Sequence, residues 1–312
     1  MEEIMLSFCL VTYNHEKYIL ECLESIFKQK VNFKMEILVG NDCSQDATAQ
    51  LIKDNYGDRV NLIDRKENLG LCKNLYDLFL RAKGRYVYMF SGDDYIKDEY
   101  MLQKQVDFLE EHPEYFSASA RNLNYNQAKD SFSESAIDFG DYTIMDFFMD
   151  GKIPCIYGTM RNVFAKDQAN NYFLPLGAKN NEEVKMWLYT MDQGKKYIFE
   201  DYMTVYRFVN QKGASNYFSN MTYLKLFTDY YQDILMLEPV YGKKYNLKPY
   251  KLITMNKYCN LMSDSIKSFF TFMRTLKLGD AISLIAYKLY LKTHHYQVPA
   301  KWYTEEYIVK QH

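Results

Sequence analysis

With 312 residues the chain exceeds the usual size of one domain, so one large domain, or one domain with an appendage, is expected. Its composition, 48% hydrophobic and 25% charged, excludes a disordered chain, and no run approaches the roughly 18 apolar residues of a membrane-spanning helix. The net charge of −2 hides an asymmetry: residues 243–301 hold ten Lys and Arg274 against Asp264 and Asp280, a segment of +9 on a remainder of −11.

The start, Met1-Glu2-Glu3, is acidic where a signal peptide is basic, which points to a protein kept in the cytoplasm. Residues 5–11 are almost continuously apolar, as in a strand buried on both faces. Ile19, Leu23, Ile26 and Phe27 then recur at helical spacing. A strand is expected over Glu36–Gly40, and a helix capped by Ser44 that turns Leu51 and Ile52 inward and ends near Gly57. Val60–Ile63 reads as a strand, 71–83 as a helix stopped by Gly84, and Arg85–Phe90 as a fourth strand. Asp98 is expected to cap a helix that carries Met101, Leu102, Phe108 and Leu109 inward. Beyond it the pattern predicts a strand over 116–123, a loop over 124–142, a short helix over 143–149 and a strand over 158–164. A helix over 183–194 and strands over 197–199 and 203–206 follow, and the chain reads as helical after about residue 220.

The alternation of strand and helix through residue 90 implies a parallel sheet with helices on both faces. Ligands of such sheets sit at the carboxyl ends of the strands. The residues there are Thr12-Tyr13-Asn14, Asn41-Asp42 and Ser91-Gly92-Asp93-Asp94. No G-x-G-x-x-G or Walker sequence is present, which counts against a dinucleotide dehydrogenase or a P-loop protein. The six cysteines include no C-x-x-C pair, so buried reduced thiols are expected rather than a zinc ribbon or a disulfide framework. Adjacent acids at the end of a buried strand suit a hard divalent cation together with phosphate oxygens.

Four segments in order carry a resemblance: Val11-Thr12-Tyr13-Asn14; Asn41-Asp42-Cys43-Ser44-Gln45-Asp46-Ala47-Thr48; Glu67-Asn68-Leu69-Gly70; and Gly84-Arg85-Tyr86 leading to Ser91-Gly92-Asp93-Asp94. Together they resemble the family 2 glycosyltransferases of the GT-A fold, over residues 5–100 and more weakly to Ser215. The resemblance implies an α/β fold with a mostly parallel sheet and an inverting transferase. The donor would be a nucleotide sugar, often a UDP-sugar, with Mn²⁺ or Mg²⁺ as cofactor. It places Thr12 and Tyr13 at the nucleobase, Asp42 on the uracil N3–H, Asn68 at the nucleotide, Asp93 at the ribose and Asp94 on the metal. The catalytic base falls at Glu183, with Glu182 one residue away. Two positions depart from the family pattern: Ser91 stands where many members have an acid, and Val209 where many have a His. Arg207, Lys212 or Ser215 would then hold the diphosphate.

Residues 1–219 are thus expected to form the catalytic domain, its nucleotide half within 1–100, and 220–312 a basic helical region. That region reads either as a surface that docks on anionic lipid or as an appendage packed on the catalytic domain or a second subunit. The first suits a lipid-linked saccharide acceptor at the inner face of the membrane, as in bacterial capsule or surface-polysaccharide assembly; the second allows a homo-oligomer. Nucleic acid is disfavoured because no reading motif accompanies the charge. Two competing readings are a non-catalytic scaffold of the same fold, motivated by Ser91 and Val209, and a nucleotidyltransferase. The latter normally offers a Gly-rich basic loop after the first strand, where this chain has Thr12-Tyr13-Asn14-His15.

Overall fold

A computed structural model of the chain describes residues 3–146, 157–163, 182–208, 223–262 and 266–293. These fall into two compact units, the first made of 3–143, 157–163 and 182–208, the second of 144–146, 223–262 and 266–293.

In the first unit β1 (Leu6–Thr12) is buried at every position. It pairs in parallel with β2 (Met35–Asn41) on one side and β4 (Tyr86–Ser91) on the other, and β2 pairs in parallel with β3 (Asn61–Asp64). The intervening helices are α1 (Ile19–Phe27), α2 (Thr48–Tyr56) and α3 (Leu71–Arg81). Ile19, Leu23 and Ile26 of α1 are buried as their spacing predicts, with Phe27 half-buried, and α3 buries Leu75, Leu78 and Phe79. Ser44 does not cap α2. Its hydroxyl accepts the Asn14 N–H at 2.9 Å and donates to Asn41 Oδ1 at 2.5 Å, while Asp46 receives the Thr48 N–H at 3.0 Å.

The second half of this unit adds β5 (Tyr95–Ile96), α4 (Met101–Glu111), β6 (Tyr115–Asn126), β7 (Ser131–Glu134), β8 (Gly140–Tyr142), β9 (Gly158–Arg161), α5 (Glu182–Gln193) and β10 (Lys195–Phe208). The sheet order is β3-β2-β1-β4-β9-β6-β10-β5, with β7 on β6 and β8 on β10. β9 runs antiparallel to both β4 and β6, whereas β6 and β10 are parallel. The loop expected over 124–142 is partly strand: β6 runs on to Asn126, and β7 and β8 pair antiparallel at its margin. Most of β7 is exposed, so its polar residues carry no apolar alternation to read. The two strands expected near 197 and 203 are one, β10, with register irregularities between Phe199 and Thr204. Asp98 lies outside α4 and acts on the turn before it, accepting the Tyr100 N–H and a Lys104 ammonium hydrogen. Of the short helix expected over 143–149, residues 144–146 are helical and the rest lie outside the described residues.

The second unit contains α6 (Tyr223–Tyr241), α7 (Lys248–Met262), α8 (Ile266–Met273) and α9 (Leu278–Thr293). Its core is built from Tyr231, Met255, Tyr258, Cys259, Phe272, Leu276 and Leu284. Lys251 joins α6 to α9 through ion pairs with Glu238 and, at 3.0 Å, Asp280, and the Tyr231 hydroxyl also donates to Asp280. A cavity of about 480 Å³ beside this network is lined by Glu238, Lys243, Lys248, Lys251 and Asp280. Among the described residues no helix is long and apolar enough to cross a membrane. Cys9, Cys22 and Cys259 are buried, Cys43 and Cys72 half-buried, and none of these is in a disulfide; Cys155 lies outside the described residues.

Gly158 shows how tightly β9 is seated. A Cβ there would lie 2.2 Å from Ser119 Oγ and 2.7 Å from the Ala118 carbonyl oxygen. Gly158→Ala is expected to lower unfolding free energy by about 1–3 kcal/mol, the usual cost of overpacking. Adding Ser119→Ala is expected to recover only part of the loss in urea titration, because the Ala118 contact is backbone and stays.

Candidate active site

The chain runs outward from β1 through β2 to β3 and then returns to place β4 on the other side of β1. Such a reversal of strand order is where sheets of this type hold their ligands, beyond the carboxyl ends of β1 and β4. Gly92 is the residue that lets the two ends close up. A Cβ at this position would sit 2.8 Å from Thr12 Oγ1 and 3.0 Å from His15 Nδ1.

The loops after β1 and β2 are laced together. Asn14 Oδ1 accepts the Gln45 N–H at 2.8 Å, Thr48 Oγ1 accepts the His15 N–H at 2.8 Å, and Glu16 accepts the Ala47 N–H at 3.1 Å. Asn14 and Cys43 hold left-handed backbone, with φ of 56° and 62°. Asn tolerates this region and Cys does so rarely, so the turn at 43 is held by its surroundings. Tyr13 is half-buried on this braced loop and Thr12 is buried beneath it.

Asp42 follows β2 and is 3% exposed. Its N–H donates to the Thr12 carbonyl at 2.9 Å, which ties it to the end of β1. Its two carboxylate oxygens accept the N–H groups of Leu69, at 2.8 Å, and Gly70, at 2.9 Å. Asn68 Nδ2 donates to the Asp42 carbonyl at 3.2 Å. The segment entering α3 is thereby folded over Asp42, and Gly70 takes the φ of 79° that this entry requires.

The adjacent acids after β4 point to different surroundings. Asp93 is partly open, its side chain 16% exposed. Its Oδ1 accepts the Ser91 hydroxyl at 2.5 Å, and its Oδ2 lies 3.8 Å from His15 Nε2. Asp94 is 1% exposed, and both its oxygens are engaged: one accepts the Tyr157 hydroxyl and the other the Arg207 N–H at 2.7 Å. Burial first, then the charge of Asp93, raises the Asp94 carboxyl well above the usual carboxylate range.

Arg207 is also turned inward. Its Nε donates to the Asp93 carbonyl at 2.8 Å, one terminal nitrogen pairs with Glu21 at 2.6 Å, and the rings of Tyr18, Tyr95 and Tyr125 lie 4.9–5.5 Å from the guanidinium carbon. Glu182 and Glu183 open α5; their side chains, with Lys212, Val209 and Ser215, lie outside the described residues. Thr12, Asp42 and Asp93 are therefore brought to one rim, Tyr13 and Asn68 border it, and Asp94 and Arg207 brace it from inside. His15, Glu21 and Tyr157 escaped the reading of the sequence. Only His15, one residue beyond Thr12-Tyr13-Asn14, carried a local signal.

Among the described residues no group of three or more His, Cys, Asp or Glu side chains is arranged to hold a metal by itself. One open carboxylate, Asp93, fits the way a hard cation is shared with a diphosphate, where one or two protein oxygens suffice.

The model of glycosyl transferase family 2 matches residues 7–167. Over 112 residues the chain is 36% identical to an uncharacterized protein of Mycobacterium tuberculosis, a match covering 35% of this chain and 32% of that protein. It is 24% identical over 215 residues to the putative teichuronic acid biosynthesis glycosyltransferase TuaG of Bacillus subtilis, covering 68% of this chain and 82% of TuaG. The structure of Staphylococcus aureus TarS 1-349 in complex with UDP-GlcNAc superposes with a TM-score of 0.59 at 20% identity, over 91% of this chain and 79% of that one.

Removing the Asp42 carboxylate leaves the Leu69 and Gly70 N–H groups without their acceptors. Asp42→Ala is expected to cost about 1–3 kcal/mol in denaturant titration. It is also expected to speed amide exchange at Leu69 and Gly70 while leaving the β1 amides protected.

Proposed function

Because the chain belongs to glycosyl transferase family 2, we propose that it moves a sugar from a nucleotide-diphosphate donor, a UDP-sugar by preference, to an acceptor hydroxyl with inversion at the anomeric carbon. The placement of Thr12, Asp42 and Asp93 at and just past the carboxyl ends of the neighbouring strands β1, β2 and β4 is the observation that carries this reading. The teichuronic acid role printed for TuaG and the UDP-GlcNAc bound by TarS support a nucleotide-sugar donor and a saccharide acceptor. A lipid-linked acceptor, a cytoplasmic enzyme peripheral at the inner membrane face and a place in bacterial surface-polysaccharide synthesis complete it.

In this reading Tyr13 lies against the base with Thr12 beneath. Asp42 accepts from the base edge with the lone pairs left over from Leu69 and Gly70, and Asn68 borders the nucleotide. The burial of Asp94 favours exchanging the two acids: Asp93 takes the cation ligand's role and Asp94 positions it through Tyr157 and Arg207. Ser91, by donating to Asp93, fixes the orientation of that carboxylate although it adds no charge. Arg207 acts as a strut, which leaves Lys212 or Ser215 for the diphosphate. Asp93 would hold a Mn²⁺ or Mg²⁺ ion, which would supply positive charge against the departing diphosphate. Glu183, or Glu182 beside it, takes the proton of the acceptor hydroxyl as its oxygen bonds to the anomeric carbon.

Thermal melting with UDP-, GDP- and dTDP-sugars, with and without Mn²⁺, tests the donor. One donor is expected to raise the melting temperature by mass action, and more so with the metal. Asp93→Asn should abolish the metal-dependent part and leave the ligand-free melting temperature unchanged. Failure of every donor to shift the intact chain would overturn the proposal. For the base, Glu183→Gln is expected to cut transfer by about 10²–10⁴-fold while donor binding persists; if only Glu182→Gln does so, the base is Glu182.

A further inference from the structure

The helical unit presents an apolar surface on the side away from its core. In α9, Leu284 is buried, while Leu278, Ile282, Ile285 and Leu289 are 78%, 60%, 47% and 59% exposed. Their spacings of four, three and four residues put them on one stripe of the helix, opposite Leu284. A helix with one face in a core ordinarily shows polar residues on the other. Here the outward stripe is aliphatic from Leu278 to Leu289, the pattern of a surface that meets another apolar phase.

The charges around the stripe indicate which phase. Between residues 266 and 293 the only acid is Asp280, half-buried and engaged by Lys251 and Tyr231. Lys267, Arg274, Lys277 and Lys292 are exposed, and Lys288 reaches Asn260. Aliphatic side chains ringed by cations with long stems match a leaflet of anionic lipid, where the stems lie along the acyl boundary and the charged ends meet the headgroups. A second copy fits worse: a two-fold pairing through this face would bring its cations against the same cations, with no exposed acid between residues 266 and 293 to meet them.

We propose that the outward face of α9, with the cations of the α8–α9 segment, docks the protein on an anionic membrane surface. It deepens the peripheral position given above by naming the face responsible, and rests on that reading only for the purpose of docking. Membrane and donor binding can be measured apart, so each can fail without the other.

The test is sedimentation of the full chain with vesicles of phosphatidylcholine alone or mixed with phosphatidylglycerol, in the absence of any donor. Binding is expected only to the anionic vesicles and is expected to weaken as salt is raised through the physiological range. Lys277→Gln with Lys292→Gln should reduce partitioning roughly twenty- to thirtyfold, from about fivefold for each basic residue near such a surface. Ile282→Asn with Leu289→Asn should reduce it by about tenfold or more with an unchanged melting temperature, since both positions are exposed. The proposal is overturned if the intact chain ignores anionic vesicles, or binds neutral and anionic vesicles alike. It is equally overturned if Ile282→Asn with Leu289→Asn converts a dimer to monomers in sedimentation velocity while the vesicles stay unoccupied.

Discussion

A carboxylate enclosed by protein has to find its donors inside, and Asp94 finds them on two segments remote in sequence, the Tyr157 hydroxyl and the Arg207 N–H. This small knot fastens the end of β4, the approach to β9 and the far end of β10 to one another. Each donor lost would leave a buried group unpaired, so the three segments are held together by the cost of separating them. The position of Asp93 follows, because its own carbonyl is pinned by Arg207 Nε. The open acid at the rim is therefore placed by the closed acid beside it.

The same division between bracing and exposed groups recurs around the rim. Asp42 braces the entry to α3 with both oxygens, and the two loops after β1 and β2 exchange backbone and side-chain hydrogen bonds. Gly92 allows the β4 end to meet Thr12 and His15 without a side chain in between. Among the described residues the rim is thus held by hydrogen bonds within the protein.

The strands β1, β2 and β4 and the helices between them were legible because burial on both faces and on one stripe leaves different, readable patterns of apolar residues. β7 and β8 were not, since short marginal strands owe their pairing to the neighbouring backbone rather than to their own side chains. Ser44 looked like a cap because its residue type suits one; the competing partners, Asn14 and Asn41, lie on other elements. That Asp93 and Asp94 have different surroundings, one partly open and one enclosed, could not be read from the adjacent pair itself. Alternation along a strand end says that neighbours face different ways, and which of them faces inward was decided by groups 63 and 113 positions away. The helical unit gave its element type readily, but its outward face emerged only once the inward one was known.

β10 reaches the site by a route that fixes its length. Between Phe199 and Thr204 it advances five residues while β6 advances two, from Ala120 to Asn122. The surplus is odd: the buried positions are Lys196 and Ile198 before it, and Met203, Thr204, Val205 and Arg207 after it, so that the alternation beyond Thr204 falls on odd numbers. Arg207 faces inward because of those additional residues. Loss or gain of a single residue between Glu200 and Tyr202 would carry its guanidinium to the opposite side of the sheet and bring Tyr206 in its place. Length variation in this short stretch is thus constrained by parity: changes of two residues preserve the strut, and changes of one dismantle it.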